Sequence, residues 1–203
     1  MSSITTHPQR NSIRLQLKQN LVLREMPARA FEELERELDI AEYKKGEPLV
    51  RQGATGMEQF FVLDGILKRV VSNQQGKEMI LRFAAETDMD TSYAAWRMKT
   101  PIPYSIVAVT RVRLAKLSMP HWVEFLDRHD QVKLRFEYEV MRLMSEVMAH
   151  TITLHLLDAP GRLARFTRKH QDLYERIPKK ELASYLNLSP ETLSRLNRKG
   201  RTA

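Results

Sequence analysis

Four side chains near the end of this 203-residue chain, Glu191, Ser194, Arg195 and Arg198, fall at i, i+3, i+4 and i+7, the spacing that gathers residues on one face of a helix. Their chemistry is hydrogen bonding rather than bond breaking. A guanidinium can chelate a guanine edge, a carboxylate can accept from a cytosine amino group, and a serine hydroxyl can pack or bond beside them. A helix carrying such a row fits the major groove of DNA, where each base pair shows its own donor and acceptor pattern. An amphipathic helix whose charges merely face water is the plain alternative, so the surroundings must decide.

The segment IPKKELASYLNLSPETLSRLNRKG, Ile177 to Gly200, supplies those surroundings. A first helix from about Lys179 buries Leu182, Ala183 and Leu186, with Ala183 small enough for a second helix to cross closely. Asn187 makes the turn, because Asn tolerates the left-handed backbone that a tight reversal needs. Ser189 as N-cap, Pro190 at the first helical position and Glu191 in the first turn start the second helix. Leu193 and Leu196 then point inward with Leu188. Backbone phosphates are expected to meet Lys179, Lys180, Ser189, Thr192, Arg198, Lys199 and Arg201. Charge agrees with this reading: residues 159–203 hold eleven Lys or Arg against four Asp or Glu, while the whole chain carries only +8. Nearly all the excess sits beside the proposed reading helix, as binding to phosphate by counterion release requires.

Composition narrows what else the chain can do. The chain contains no cysteine, which excludes disulfides, thiolate zinc and a cysteine-held iron–sulfur cluster. No apolar run approaches the ~20 residues of a membrane span, and the opening MSSITTHPQR has no secretory core, so a cytoplasmic location is expected. None of the six histidines (His7, His121, His129, His150, His155 and His170) falls in the β-rich region between Tyr43 and Leu117. A metal-dependent enzyme on such a scaffold needs an inward cluster of His and carboxylate, so neither a metal site nor catalysis is expected. Haem is not expected either, since a lone helical His at 121, 150 or 155 is more often solvated or packed than a ligand.

The elements that hold the reading helix follow from periodicity. Residues 1–21 read as a loose polar arm. A helix is expected from Val22 to Leu38, restarted near Pro27. Five of the seven glycines lie between Gly46 and Gly76 among short β-type runs, including FFVL (Phe60–Leu63) and ILKRVV (Ile66–Val71). Asp64-Gly65 between them is the strongest hairpin signal. Residues 22–120 therefore read as an antiparallel roll. Over 121–157 the chain turns helical, with a stripe of Leu134, Tyr138, Met141, Met148 and Ile152 facing a second copy of itself and an adjoining stripe of Val140, Met144, Val147 and Leu154 facing the roll. Ala159-Pro160-Gly161 breaks that helix as a hinge to the helix–turn–helix domain, 158–203. The fold class is α+β: an N-terminal antiparallel β-roll, a long dimerisation helix and a C-terminal helix–turn–helix.

In that order the parts resemble the CRP/FNR family of bacterial transcription regulators. YKKGEPLVRQG (Tyr43–Gly53), FFVLDGILKRV (Phe60–Val70), DAPGRLARF (Asp158–Phe166) and ELASYLNLSPETLSRL (Glu181–Leu196) carry the likeness. The resemblance implies that the roll is a jelly roll of cyclic-nucleotide-binding type. It also implies a homodimer on a palindromic DNA site, with double-stranded DNA and a second copy as partners and RNA polymerase and an unidentified small-molecule effector as further candidates. The E-x-x-S-R lettering of Glu191, Ser194 and Arg195 is similar to the FNR-type branch, which implies TTGA-like half-sites. The effector pocket departs from the family: Thr91 and Ser92 stand where cyclic-AMP-binding members have Gly-Glu, and Tyr104 stands before Ser105 where they have Arg. A buried phosphate without its guanidinium loses several kcal/mol, so cyclic AMP is expected to bind weakly or not at all. Phe83, Ser92, Tyr93, Tyr104 and Ser105 are candidate liners of whatever pocket remains. A module of the same fold that binds ligands or partners but has lost specific DNA binding is the competing reading, since the chain has only eight residues after Arg195 and no room for the β-hairpin wing of longer members.

Overall fold

FFVL is apolar without alternation because its strand is covered on both faces. In the computed structural model, which describes residues 2–199, the strands are β1 (Ser2–Ser3), β2 (Asp39–Tyr43), β3 (Pro48–Val50), β4 (Glu58–Asp64), β5 (Leu67–Ser72), β6 (Glu78–Ala84), β7 (Met89–Thr91), β8 (Ser105–Ala108) and β9 (Val112–Ser118). The helices are α1 (Arg10–Gln19), α2 (Ala28–Glu37), α3 (Tyr93–Met98), α4 (Met119–Arg128), α5 (Asp130–Leu156), α6 (Ala159–Lys169), α7 (Gln171–Arg176), α8 (Lys179–Tyr185) and α9 (Pro190–Lys199). The strands form two antiparallel sheets, ordered β1-β2-β9-β4-β7 and β3-β8-β5-β6. The expected roll, long helix and helix–turn–helix are all present, and among the described residues no helix is long and apolar enough to cross a membrane.

Three apolar cores hold these layers. Phe60, Val62, Leu67, Ile106 and Leu114 fill the space between the sheets. Phe61, Leu63, Ala115 and Leu117, on the other face of the five-stranded sheet, pack with α1, α2, α4 and the start of α5. The outer face of the four-stranded sheet gives Ile66, Val70, Ile80 and Phe83 to a third core shared with the helix–turn–helix.

Several expectations are corrected. The N-terminal stretch is docked rather than loose: β1 pairs with β2, and Ile4, Ile13 and Leu17 are almost fully buried, spaced so that one turn and one helical face close over the sheet. The helix expected from Val22 starts only at Ala28, because Pro27 is its N-cap in extended geometry. Asp64-Gly65 closes no hairpin; β4 and β5 lie in different sheets, and the turn is the corner between them. Gly65 (φ +92°) is needed there because a Cβ would sit 2.2 Å from the Arg111 carbonyl oxygen. The true hairpin joins β5 to β6, with Gly76 at φ +77°. Ala159-Pro160-Gly161 is no loop but the first turn of α6, capped by Asp158 Oδ1, which accepts from the Gly161 amide at 2.9 Å; the chain breaks at Leu157 and Asp158.

Candidate nucleic-acid interface

The geometry of the C-terminal helices follows from their lettering. Leu182, Ala183, Leu186 and Leu193 are at most 2% exposed, Asn187 takes φ +51°, and Ser189 Oγ accepts from the Thr192 amide at 3.1 Å. Arg162 of α6 adds a clamp that the sequence reading did not contain: its Nη1 donates to the carbonyl of Leu186 at 2.8 Å and to that of Asn187 at 3.3 Å. The turn is thereby fixed from below. Tyr174 braces α9 through its hydroxyl, which donates to Asn197 Oδ1 at 2.7 Å.

Glu191, Ser194, Arg195 and Arg198 are all exposed along α9, so the structure brings the predicted reading residues together on one outward row. The Glu191 backbone amide and the Ser189 hydroxyl hold the Glu191 carboxyl below the usual carboxylate range. Lys179 and Lys180 are exposed at the start of α8, with Lys179 Nζ 4.3 Å from the centroid of the Tyr174 ring. Ser189 and Thr192 are joined to each other, Oγ to Oγ1 at 3.1 Å. Lys199 ends α9, and Arg201 lies outside the described residues.

The helix–turn–helix is seated on its own roll. Phe166, Ile177, Leu182 and Leu193 meet Ile66, Val70, Ile80 and Phe83. Lys68 pairs with Glu181 at 2.7 Å, and Arg176 grips Glu86 through both terminal nitrogens at 2.8 and 2.6 Å. Tyr185 lies face to face with His150 of α5, centroids 3.7 Å apart, and beside Phe83 at 5.1 Å. Phe83 was a candidate pocket liner; it faces outward into this contact instead, because strand alternation puts it on the side opposite the roll interior.

On α5 the expected stripe is bare: Leu134, Tyr138, Met141, Met148 and Ile152 are 50–69% exposed. Of the adjoining stripe, Val140 packs against the core shared with the roll, but the stripe as a whole is not the inward face. Met144 is itself 50% exposed, and the inward positions are Val132, Phe136, Glu139, Leu143, His150 and Thr153. Polar residues can occupy that inner side because ions receive them: Arg142 bonds Glu139 at 2.6 Å and Glu146 at 2.9 Å.

Inside the roll, Tyr104 and Ser92 are buried together with three residues that the reading missed, Arg69, Arg82 and Asp90. Arg69 donates to Asp90 and to the Thr91 carbonyl, and its guanidinium lies 4.0 Å from the Tyr104 ring centroid. Tyr104 donates to the same carbonyl at 2.7 Å. Arg82 bonds Asp90 at 3.2 Å and Asp88 at 2.7 Å; burial opposes its charge, yet the two aspartates outweigh it and its pKa is raised. A buried guanidinium is therefore present beside Tyr104, supplied by β5 and neutralised by Asp90. Period-2 alternation, which puts Arg69 on the same inward face as Leu67, was the available signal. Tyr93 packs away from this group, edge-on to Phe136 at 5.0 Å, and Ser105 Oγ accepts from the Gln52 amide at 2.9 Å.

Residues 40–129 match the family of cyclic nucleotide-binding domains. The chain is 20% identical over 167 residues to the cAMP-activated global transcriptional regulator CRP of Salmonella typhimurium, covering 77% of this chain and 80% of that one. Its fold is similar to FixK2 from Bradyrhizobium japonicum, with a TM-score of 0.71, 16% identity and coverage of 81% and 85% of the two chains. It is equally similar to the c-di-GMP responsive global regulator CLP of Xanthomonas campestris, at a TM-score of 0.71, 14% identity and coverage of 87% and 92%.

Proposed function

From this chain's similarity to a CRP regulator and to the fold of FixK2, we infer that it is a regulator of the CRP/FNR type, that it binds DNA in a sequence-specific manner as a homodimer and that it acts by binding rather than by catalysis. The observation that carries this reading is the outward row of Glu191, Ser194 and Arg195 on a helix whose other face is locked by Leu193 and whose turn is clamped by Arg162. A second copy meets the bare stripe of α5, so the site is two-fold symmetric with TTGA-like half-sites. Selection of bound duplexes from a random pool should return such a palindrome. Arg195→Ala should cost about 1–3 kcal/mol on the selected site and relax base choice at one position. Unchanged discrimination in that variant sinks the assignment of the reading helix.

The regulator works without cyclic AMP in this reading. Arg69, Asp90 and Tyr104 already satisfy one another inside the roll, so a nucleotide entering there must break a buried ion pair that costs several kcal/mol to separate. Calorimetric titration with cyclic AMP should give no stoichiometric heat. Tight one-to-one binding overturns this part of the proposal and leaves the DNA reading standing.

A further inference from the structure

A cleft between α5, α6 and α8 is used neither by the base-reading row nor by the bare stripe of α5. Its floor is His150, 9% exposed; backbone groups of Ile80 and Tyr185 lie near the ring, yet its buried Nε2 has no hydrogen-bond partner within bonding distance. An unpaired buried nitrogen costs about 1–3 kcal/mol, and native structures seldom leave one without a reason. Arg162, Arg165 and Lys169 line the cleft against one acid, Glu146. Glu146 is occupied by Arg142 at 2.9 Å, and Arg162 by the carbonyls of Leu157 and Leu186. Arg165 and Lys169 are exposed cations at the mouth; Lys169 also reaches Glu146, at a longer 3.6 Å, a contact that an incoming anion would share or displace. The space is small, about 40 Å³; at roughly 10–15 Å³ for each water, it holds a few waters or one tetrahedral anion.

We propose that this cleft binds a small oxyanion, a phosphate or the phosphoryl head of a small phosphomonoester, between His150 Nε2 on the floor and Arg165 and Lys169 at the mouth. The charged oxygens accept from the two cations. In the neutral ring Nε2 either donates its proton to an anion oxygen or accepts the hydroxyl proton of hydrogen phosphate, and phosphate offers both. Because the floor belongs to α5 and the mouth to α6, with Tyr185 of α8 stacked on the same imidazole, occupancy ties the reading domain to the dimerisation helix. The inference does not depend on the DNA reading.

The test uses the full chain in phosphate-free buffer at constant ionic strength, following the histidine ring signals by NMR. Inorganic phosphate is titrated in one arm and glycerol phosphate in the other. One histidine signal should shift with saturation, with a Kd on the order of 1 mM, and it should vanish from the spectrum of His150→Phe. Arg165→Gln and Lys169→Met, both at exposed positions, should each weaken the response about tenfold, equal to about 1.4 kcal/mol. Arg195→Ala should leave it unchanged, which separates the cleft from the DNA face. A response in both arms identifies the phosphoryl head as the recognised group, and a response to inorganic phosphate alone identifies the free anion. A His150 signal that stays still, a parallel drift of all histidines, or equal binding by the Arg165 and Lys169 variants overturns the proposal.

Discussion

The His150 imidazole shows how one side chain can report on a domain contact. Burial pulls its pKa from 6.5 to about 4, with the positive charge of Lys169 adding to the effect, while backbone groups of Ile80 and Tyr185 work the other way. The folded ring therefore stays neutral as the unfolded one protonates. As pH falls below about 6.5 the unfolded chain takes up a proton that the folded chain refuses, and stability is lost down to about pH 4, where both forms carry it. The shift corresponds to roughly 3 kcal/mol. Urea unfolding in phosphate-free buffer should show His150→Phe losing about 2 kcal/mol less stability between pH 7 and pH 4.5 than the parent. The same pH dependence in both proteins would disprove the assignment. The neighbouring Tyr185 phenol is pushed up by burial, so it remains protonated throughout that window.

Among the elements, α5 makes the sharpest claim, because a 27-residue helix presents large apolar side chains to solvent along its length. Met141, 63% exposed in the single chain, lies mid-stripe, so Met141→Asp should leave the protomer folded and weaken self-association. Two lost methionine burials remove about 3–6 kcal/mol, a change that sedimentation at micromolar concentration would read as a shift from dimer to monomer; a variant still dimeric there contradicts the proposed seam. This stripe was legible in the sequence because 3.5-residue periodicity survives any tertiary context, and the helix–turn–helix that carries the proposed reading row was legible because its cap, turn and apolar positions are all local. The corner at Gly65 was not, since Asp-Gly carries a local turn signal whose outcome depends on a distant group, the Arg111 carbonyl; the start of α6 was misread because Ala-Pro-Gly reads as a break although Asp158 beside it is a local N-cap. The Arg69–Asp90–Arg82 group was hidden for the same reason as the corner at Gly65. Nothing within β5 alone says that an aspartate from β7 will meet it.

Over the whole molecule, the roll and the helix–turn–helix share one apolar core and two ion-paired contacts, Lys68 with Glu181 and Arg176 with Glu86. Thermal unfolding should therefore be a single transition in the parent. Phe83→Ala should cost about 3 kcal/mol and speed hydrogen exchange at Leu182 and Ala183 while β4 and β9 keep their protection. Equal loosening of both regions would mean that the contact does not join two otherwise independent units. The shared core also has a consequence for heredity. If the chain occupies promoters as proposed, a lesion at Phe83 or Glu86, remote from the proposed reading row, would score in a reporter screen as a promoter-occupancy mutant, and its suppressors would map to Tyr185 or Arg176 rather than to neighbours in the roll.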